Sequence, residues 1–412
     1  MKPKNLFQKS LFINHNADRY STFFVLMLSG AIIFILSVAL ENTIYKDDIH
    51  SIPNSDHSVI ASQFENGLPK SGRYPPGFGY SIYLRIQIEK LTNIPYKLLT
   101  YLMNAMLYLF VGFWIIKINT LLKFNIKIGY ICTFLFGIYP PLFSSSILDS
   151  EIILFMSVFL FGILTYLKFI INGNWYYLFY SGIFIGISLL IRPTPLFLYF
   201  FLIGTLTILN STKLKEKLHY FLKYMVIAYL GVSSVCLPWS VYISCETGKS
   251  VLGSTGFLPS HIDGLKRFPD NKAGKLYLQI IKEQKSGIKI LATHQKVFIQ
   301  EPISFVLLWI NKVGRVIYGI DSNRCSIEYI LAFLNIPMMI YGFLGLMKYK
   351  GKLFASLLQK QLIMVLIIVF LYFWLTSIVV VPLVRYMVPV FWIPLLFSLM
   401  YFFKPGKRII EN

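Results

Sequence analysis

The sequence predicts an all-α integral membrane protein of about ten transmembrane helices, with two long loops on one face. Three observations predict it. Of 412 residues, 56% are hydrophobic and only 14% charged, against roughly 25% charged in an ordinary soluble domain. Apolar runs approaching the roughly 20 residues that cross a hydrocarbon core recur along the whole chain. Charge is also sorted between alternate connections, as it is when one set of loops stays in the cytoplasm.

The apolar runs lie near 21–40, 98–118, 128–147, 152–171, 176–191, 193–210, 221–241, 327–347, 361–381 and 386–403. The first starts near Phe23 and no small-residue cleavage site follows it, so it reads as a span and not a signal peptide. The fifth and sixth runs meet at Arg192 and Pro193, and the ninth and tenth turn between Val381 and Arg385. Proline is expected to break a helix at both places.

With the N-terminus inside, the inner segments hold Lys clusters such as those at 213–223 and 348–360. Their acids are Asp18, Glu216 and Glu411. The short outer turns carry Arg192 and Arg385, and the rest of the 18 acidic residues fall outside. Both termini are therefore expected in the cytoplasm. The net charge of +21 belongs to those loops. No basic stretch interleaved with aromatics tracks a phosphate backbone, which excludes nucleic acid as the partner.

The whole chain, 1–412, reads as a single transmembrane domain. Its long outer loops are 41–97 and 242–326, with no internal repeat or low-complexity segment. Two stretches in these loops mix apolar and charged residues: 78–90 (FGYSIYLRIQIEK), with Arg85, Glu89 and Lys90, and 304–320 (SFVLLWINKVGRVIYGI), with Lys312 and Arg315. Both read as helices lying in the interface. Cys132 and Cys236 fall in apolar runs, while Cys245 and Cys325 share the second outer loop region, where a disulfide is an open alternative.

Chemistry is expected where polar groups gather on the outer face. In the first loop, Asp56 precedes a helical stretch (HSVIASQFENG) that ends at Gly67, so it suits an N-cap; it also suits a reactive carboxylate. Arg73 and Tyr74 follow, then the rigid Pro75-Pro76-Gly77. Asp149 and Glu151 sit at the outer mouth of the third and fourth runs, where acids are costly unless exposed or paired. Arg192 and Arg385 stand at outer helix ends, where Arg either snorkels to headgroups or binds phosphate.

Taken in order, these segments resemble the GT-C glycosyltransferases, in particular the bacterial glycosyltransferase family 39 branch, which includes protein mannosyltransferase-like enzymes and the aminoarabinose transferase of lipid A. The resemblance covers the whole chain. An acid follows the first span (Asp56), and a YPPG segment follows it (Tyr74 to Gly77). An acid opens the fourth span (LDSE, ending at Glu151), and Arg-Pro closes the fifth (Arg192-Pro193). Pro-Trp ends the seventh (Pro238-Trp239), and Arg-Tyr begins the last (Arg385-Tyr386). The family often has Arg-Asn shortly after Pro-Trp; here those positions are Tyr242 and Ile243.

The resemblance implies inverting transfer of a sugar from a polyprenyl-phosphate carrier, such as undecaprenyl phosphate, to an envelope acceptor on the outer face. Asp56 is implied as the general base, with Asp149 or Glu151 positioning the acceptor or supporting the base. Arg73, Arg192, Lys249 and Arg385 are implied for the carrier phosphate, with Tyr74 and Tyr386 beside them. No cofactor is required; a divalent ion held with His57 and His261 is the lesser expectation. The competing readings are an O-antigen or capsule polymerase, which would depend on loop arginines, and a lipid-linked sugar transporter or flippase, which would show related halves and polar residues at mid-membrane.

Overall fold

The computed structural model describes residues 15–40, 56–69, 75–142, 151–210, 214–248, 262, 264–266, 268, 270–283, 290–319 and 325–403. Among them there is no strand. The apolar helices are α1 (His15–Leu40), α4 (Tyr96–Leu121), α5 (Ile126–Gly137), α6 (Ile152–Asn172), α7 (Trp175–Ile191), α8 (Leu198–Asn210), α9 (Leu214–Thr247), α13 (Cys325–Lys348), α14 (Leu357–Val379) and α15 (Trp392–Phe402). The first long loop contributes α2 (Asp56–Gln63) and α3 (Pro76–Thr92). The second contributes α10 (Lys272–Glu283), α11 (Ile290–Gln300) and α12 (Pro302–Tyr318).

Among the described residues six helices are long and apolar enough to cross a membrane: those containing 20–39, 96–121, 152–172, 214–247, 330–348 and 357–379. The chain is therefore a multi-pass membrane protein. The other four apolar segments form shorter helices, and proline explains three of the shortfalls. The run expected over 128–147 is interrupted at Ile138 and Tyr139, just before Pro140 and Pro141, because the residue ahead of a proline is pushed out of the α region. The run over 193–210 becomes helical only at Leu198, after Pro193 and Pro195. In the run over 386–403, the chain makes 3₁₀ turns at Val384–Tyr386 and Val388–Val390, and α15 starts only at Trp392. Pro394 then falls in the first turn of α15, where its missing N–H has no partner to lose.

Pro238-Trp239 was expected to end the seventh helix; instead α9 runs on to Thr247 with Pro238 inside it. At 34 residues, α9 is about 50 Å long, well beyond a hydrocarbon core of about 30 Å. Both stretches read as interfacial are helical, as α3 and α12. Cys245 is an exposed free thiol, and the side chain of Cys325 lies outside the described residues.

Buried side chains of the apolar helices form one large core, and α10 to α12 build a smaller one around Tyr277, Ile280, Val297 and Leu308. Helices α7 and α9 pack backbone to backbone: a Cβ on Gly182 would overlap the Ala228 carbonyl and one on Gly231 the Phe179 carbonyl. Only glycine permits backbones this near, and in lipid such packing holds helices together without a hydrophobic force between them.

The contacts define two ends of the bundle. At one end α4 turns into α5, α6 into α7 and α8 into α9, and Lys123, Lys127, Lys215, Lys217, Lys350 and Lys352 lie there. At the other end the tips of α7, α9 and α14 meet both long loops. Tyr242 Oη of α9 donates to the Leu68 carbonyl at 3.0 Å. The Val384 amide donates to the Gly319 carbonyl at 2.8 Å. A Cβ on Gly77 would lie 2.8 Å from the Leu190 carbonyl. The sequence grouped the two loops on one face, and the fold brings them to one end.

Candidate functional site

Four of the residues singled out in the sequence converge at this loop-bearing end: Glu151, Arg192, Arg385 and Tyr386. Each comes from a break in helical structure. Arg192 caps α7 with φ −151° and ψ 123°, the extended conformation that the following Pro193 imposes. Glu151 precedes α6 without a side-chain cap to it. Arg385 and Tyr386 lie in the 3₁₀ turn Val384–Tyr386, held from outside by the Gly319 carbonyl.

Arg192 is only 5% exposed. Its Nη1 lies 3.8 Å from Glu151 Oε1 and has no hydrogen-bond partner. Its Cζ stands 4.3 Å from the centre of the Tyr386 ring, and Arg385 Cζ stands 5.3 Å from the same ring. Both distances are within cation–π range. One tyrosine thus holds two guanidinium groups that would otherwise repel. Burial pushes the Arg192 guanidinium below its ordinary value, while Glu151 and then Tyr386 act against that; the group stays charged, as arginine does in proteins. Arg385 is exposed, so the pair offers one fixed buried cation and one at the surface.

The first loop is joined to this cluster through α3. Phe64 packs on Tyr80 and Tyr83 at 5.3 and 5.8 Å between ring centres, and Lys90 Nζ pairs with Glu65 Oε1 at 2.8 Å. The turn after α2 is thereby clamped to α3. Pro76 begins α3, and Gly77 abuts Leu190 and Ile191, immediately before Arg192. Arg85, read from sequence as an interfacial charge, is 2% exposed. Its Nη1 donates to Thr100 Oγ1 at 2.6 Å, and its Cζ stands 5.0 Å from the Tyr96 ring. It fixes α3 against α4.

Asp56 is the first residue of α2, where a capped helix start was expected, but its side chain and that of His57 lie outside the described residues. Arg73, Tyr74, Asp149, Lys249 and His261 lie outside them as well. Among the described residues no group of three His, Cys, Asp or Glu could hold a metal ion.

Sequence reading missed the depth of Lys312. It is fully buried on α12, its Nζ donating to the Val379 carbonyl at 3.4 Å and lying 4.8 Å from the Trp309 ring. Burial pushes it down to about 8. An ammonium at the C-terminal end of α14 complements that helix's dipole. The signal was present as spacing: Leu308, Lys312 and Val316, the buried residues of α12, recur every four positions on one helical face. Lys312 thereby ties the second loop to the end of α14, five residues before the Val384–Tyr386 turn begins.

No family model matches the chain, and no curated protein matches it.

Proposed function

We propose that the protein is a membrane glycosyltransferase of the GT-C type. It moves a sugar from a polyprenyl-phosphate carrier to an envelope acceptor on the outer face of the cell membrane. In this reading the chain crosses ten times with both termini in the cytoplasm, and the loop-bearing end faces outward. The observation that carries it is the buried, hydrogen-bond-deficient guanidinium of Arg192, shared with Arg385 across the Tyr386 ring. Glu151 offsets one of the two positive charges. The one left over matches the single negative charge of a phosphodiester, and guanidinium is the side chain suited to its planar pairs of oxygens.

The chemistry assigned to these groups is a single displacement. The acceptor hydroxyl oxygen attacks the anomeric carbon and the bond from that carbon to the phosphate oxygen breaks. The electron pair leaves with the carrier phosphate and the configuration inverts. Asp56 takes the hydroxyl proton as general base, and the arginines stabilise the departing phosphate. Acceptor and sugar remain at the level of class: a protein, lipid or polysaccharide hydroxyl, and a hexose or pentose.

The test is Asp56→Asn in the full chain, with mass spectrometry of cell-envelope glycans. Loss of the protein should remove one sugar from one glycan. Asp56→Asn should reproduce that loss with normal membrane insertion, and normal glycans in the variant would overturn the assignment of the base. Reporters after Lys350 and near Asn271 should report inside and outside respectively. The reverse would put the cluster on the wrong face.

A further inference from the structure

Arg192 Nη1 is not the only buried polar atom at this end without a hydrogen bond. Trp239 and Ser240, consecutive on α9, are 8% and 6% exposed, and neither Trp239 Nε1 nor Ser240 Oγ has a hydrogen-bond partner. Buried polar atoms of native proteins are nearly always satisfied, so adjacent exceptions require a physical reason. Trp239 and Ile243 form a small buried cluster against which Leu190 and Tyr242 pack, and Leu190 is two residues before Arg192. Tyr242 in turn reaches Leu68 of the first loop. The tip of α9 thus stands beside the tip of α7, at the end of the bundle where Gly77 also abuts Leu190.

We propose that Trp239 Nε1 and Ser240 Oγ contact the hydroxyl oxygens of the sugar on a polyprenyl-phosphate donor whose phosphate is taken by Arg192. The inference rests on the transferase reading above and adds a sugar subsite to it. The chemistry of the donors selects the ligand. Indole N–H is a neutral donor only, whereas Ser hydroxyl both donates and accepts. A sugar hydroxyl also donates and accepts, so it can answer both groups. A phosphodiester oxygen only accepts, and the charge it needs is already supplied by Arg192 and Arg385. Trp239 is held in place by its ring contact to Tyr242, 5.8 Å between centres, so its N–H is fixed without a hydrogen bond of its own.

The test uses the full-length protein in lipid nanodiscs, with undecaprenyl phosphate as probe, bare or carrying mannose, glucose or arabinose. Trp239→Phe keeps the aromatic packing and removes the N–H; Ser240→Ala removes the hydroxyl. Neither variant breaks a bond in the free protein, so each should melt at or above the wild-type temperature. The wild type should bind one sugar-bearing carrier more tightly than the bare one. Each variant should weaken that binding about tenfold and leave bare carrier within about twofold. Unchanged binding of the sugar-bearing carrier, or equal weakening for both ligands, overturns the subsite and leaves the transferase reading standing. A wild type that binds no form of the carrier overturns both.

Discussion

The two ends of the helix bundle treat polar groups differently. At the lysine-rich end the buried amides and hydroxyls work for the scaffold. Gln359 Nε2 donates to the Leu122 carbonyl at 2.8 Å, Asn119 Nδ2 to the Asn125 carbonyl at 3.1 Å, and Gln361 to Asn210. Lys348 Nζ reaches the Tyr401 carbonyl at 2.9 Å. Asn119 Oδ1 and the Tyr166 hydroxyl are exceptions in that half of the bundle. At the loop-bearing end Arg192, Trp239 and Ser240 are as deeply buried, yet Arg192 Nη1, Trp239 Nε1 and Ser240 Oγ have no hydrogen bond. An unsatisfied buried donor costs about 1–3 kcal/mol. The first end therefore contributes stability, and the second gives some up in groups that can face a ligand.

The largest expected effect would break that comparison if it moved function as well as stability. Gly345, near the lysine-rich end of α13, approaches α15 so closely that a Cβ would overlap the Phe397 carbonyl oxygen. Gly345→Val should cost about 3 kcal/mol or more, because two backbones must separate. It should lower the melting temperature in detergent while the fraction that remains folded binds undecaprenyl phosphate normally. Arg192→Gln should do the opposite. It removes the ion pair with Glu151 and the contact with the Tyr386 ring, but also the cost of burying the charge, so melting should shift by less than with Gly345→Val. Carrier affinity should fall about a hundredfold, about 2.7 kcal/mol. Direct binding by isothermal calorimetry separates the two, and a melting change from Arg192→Gln as large as that from Gly345→Val would erase the distinction between the ends.

The position of the helices was legible in the sequence because lipid imposes a simple rule on length and polarity; every expected apolar run holds a helix. Their limits were less legible. Pro140, Pro195 and Pro389 shorten helices that composition alone would continue, while α9 runs past Pro238 to Thr247. Arg192 and Arg385 were readable as cations at helix ends, since a lone Arg beside a proline break has few other placements. Their sharing of Tyr386 was not readable, because it joins residues almost two hundred positions apart. Arg85 and Lys312 read as interfacial charges because spacing along one helix does not reveal what lies across from it. Only packing against Tyr96 and Val379 puts them inside.

Lys312 sharpens the comparison by asking whether a buried charge at the loop-bearing end also lowers stability. A shift from its ordinary 10.5 to about 8 corresponds to about 3 kcal/mol against the charged form. Loss of its attraction to the end of α14 would offset about 1 kcal/mol. Lys312→Met should therefore stabilise the protein by about 2 kcal/mol at pH 7. The folded group loses its proton more readily than the unfolded one, so the unfolded chain binds more protons between pH 8 and 10.5. Wild-type stability rises across that window, and the advantage of Lys312→Met should shrink there. Melting curves from pH 7 to 10 check the sign, and a gap that widens with pH would refute it.

The smallest expected effect belongs to the lysine-rich end. Ser356 precedes α14 in an extended conformation, and its hydroxyl accepts from the Gln359 amide at 3.2 Å. This satisfies one of the amides left open at a helix start. Ser356→Ala should cost about 1 kcal/mol and leave carrier affinity within about twofold, as Gly345→Val should at larger scale. Because Gln359 also donates to the Leu122 carbonyl, fraying the first turn of α14 should loosen its contact with the end of α4. Hydrogen exchange should therefore rise at Gln359 and its neighbours and stay unchanged at Arg192. Faster exchange at Arg192 would mean that the two ends are coupled through α14, and that stability built at one is transmitted to the unsatisfied buried groups at the other.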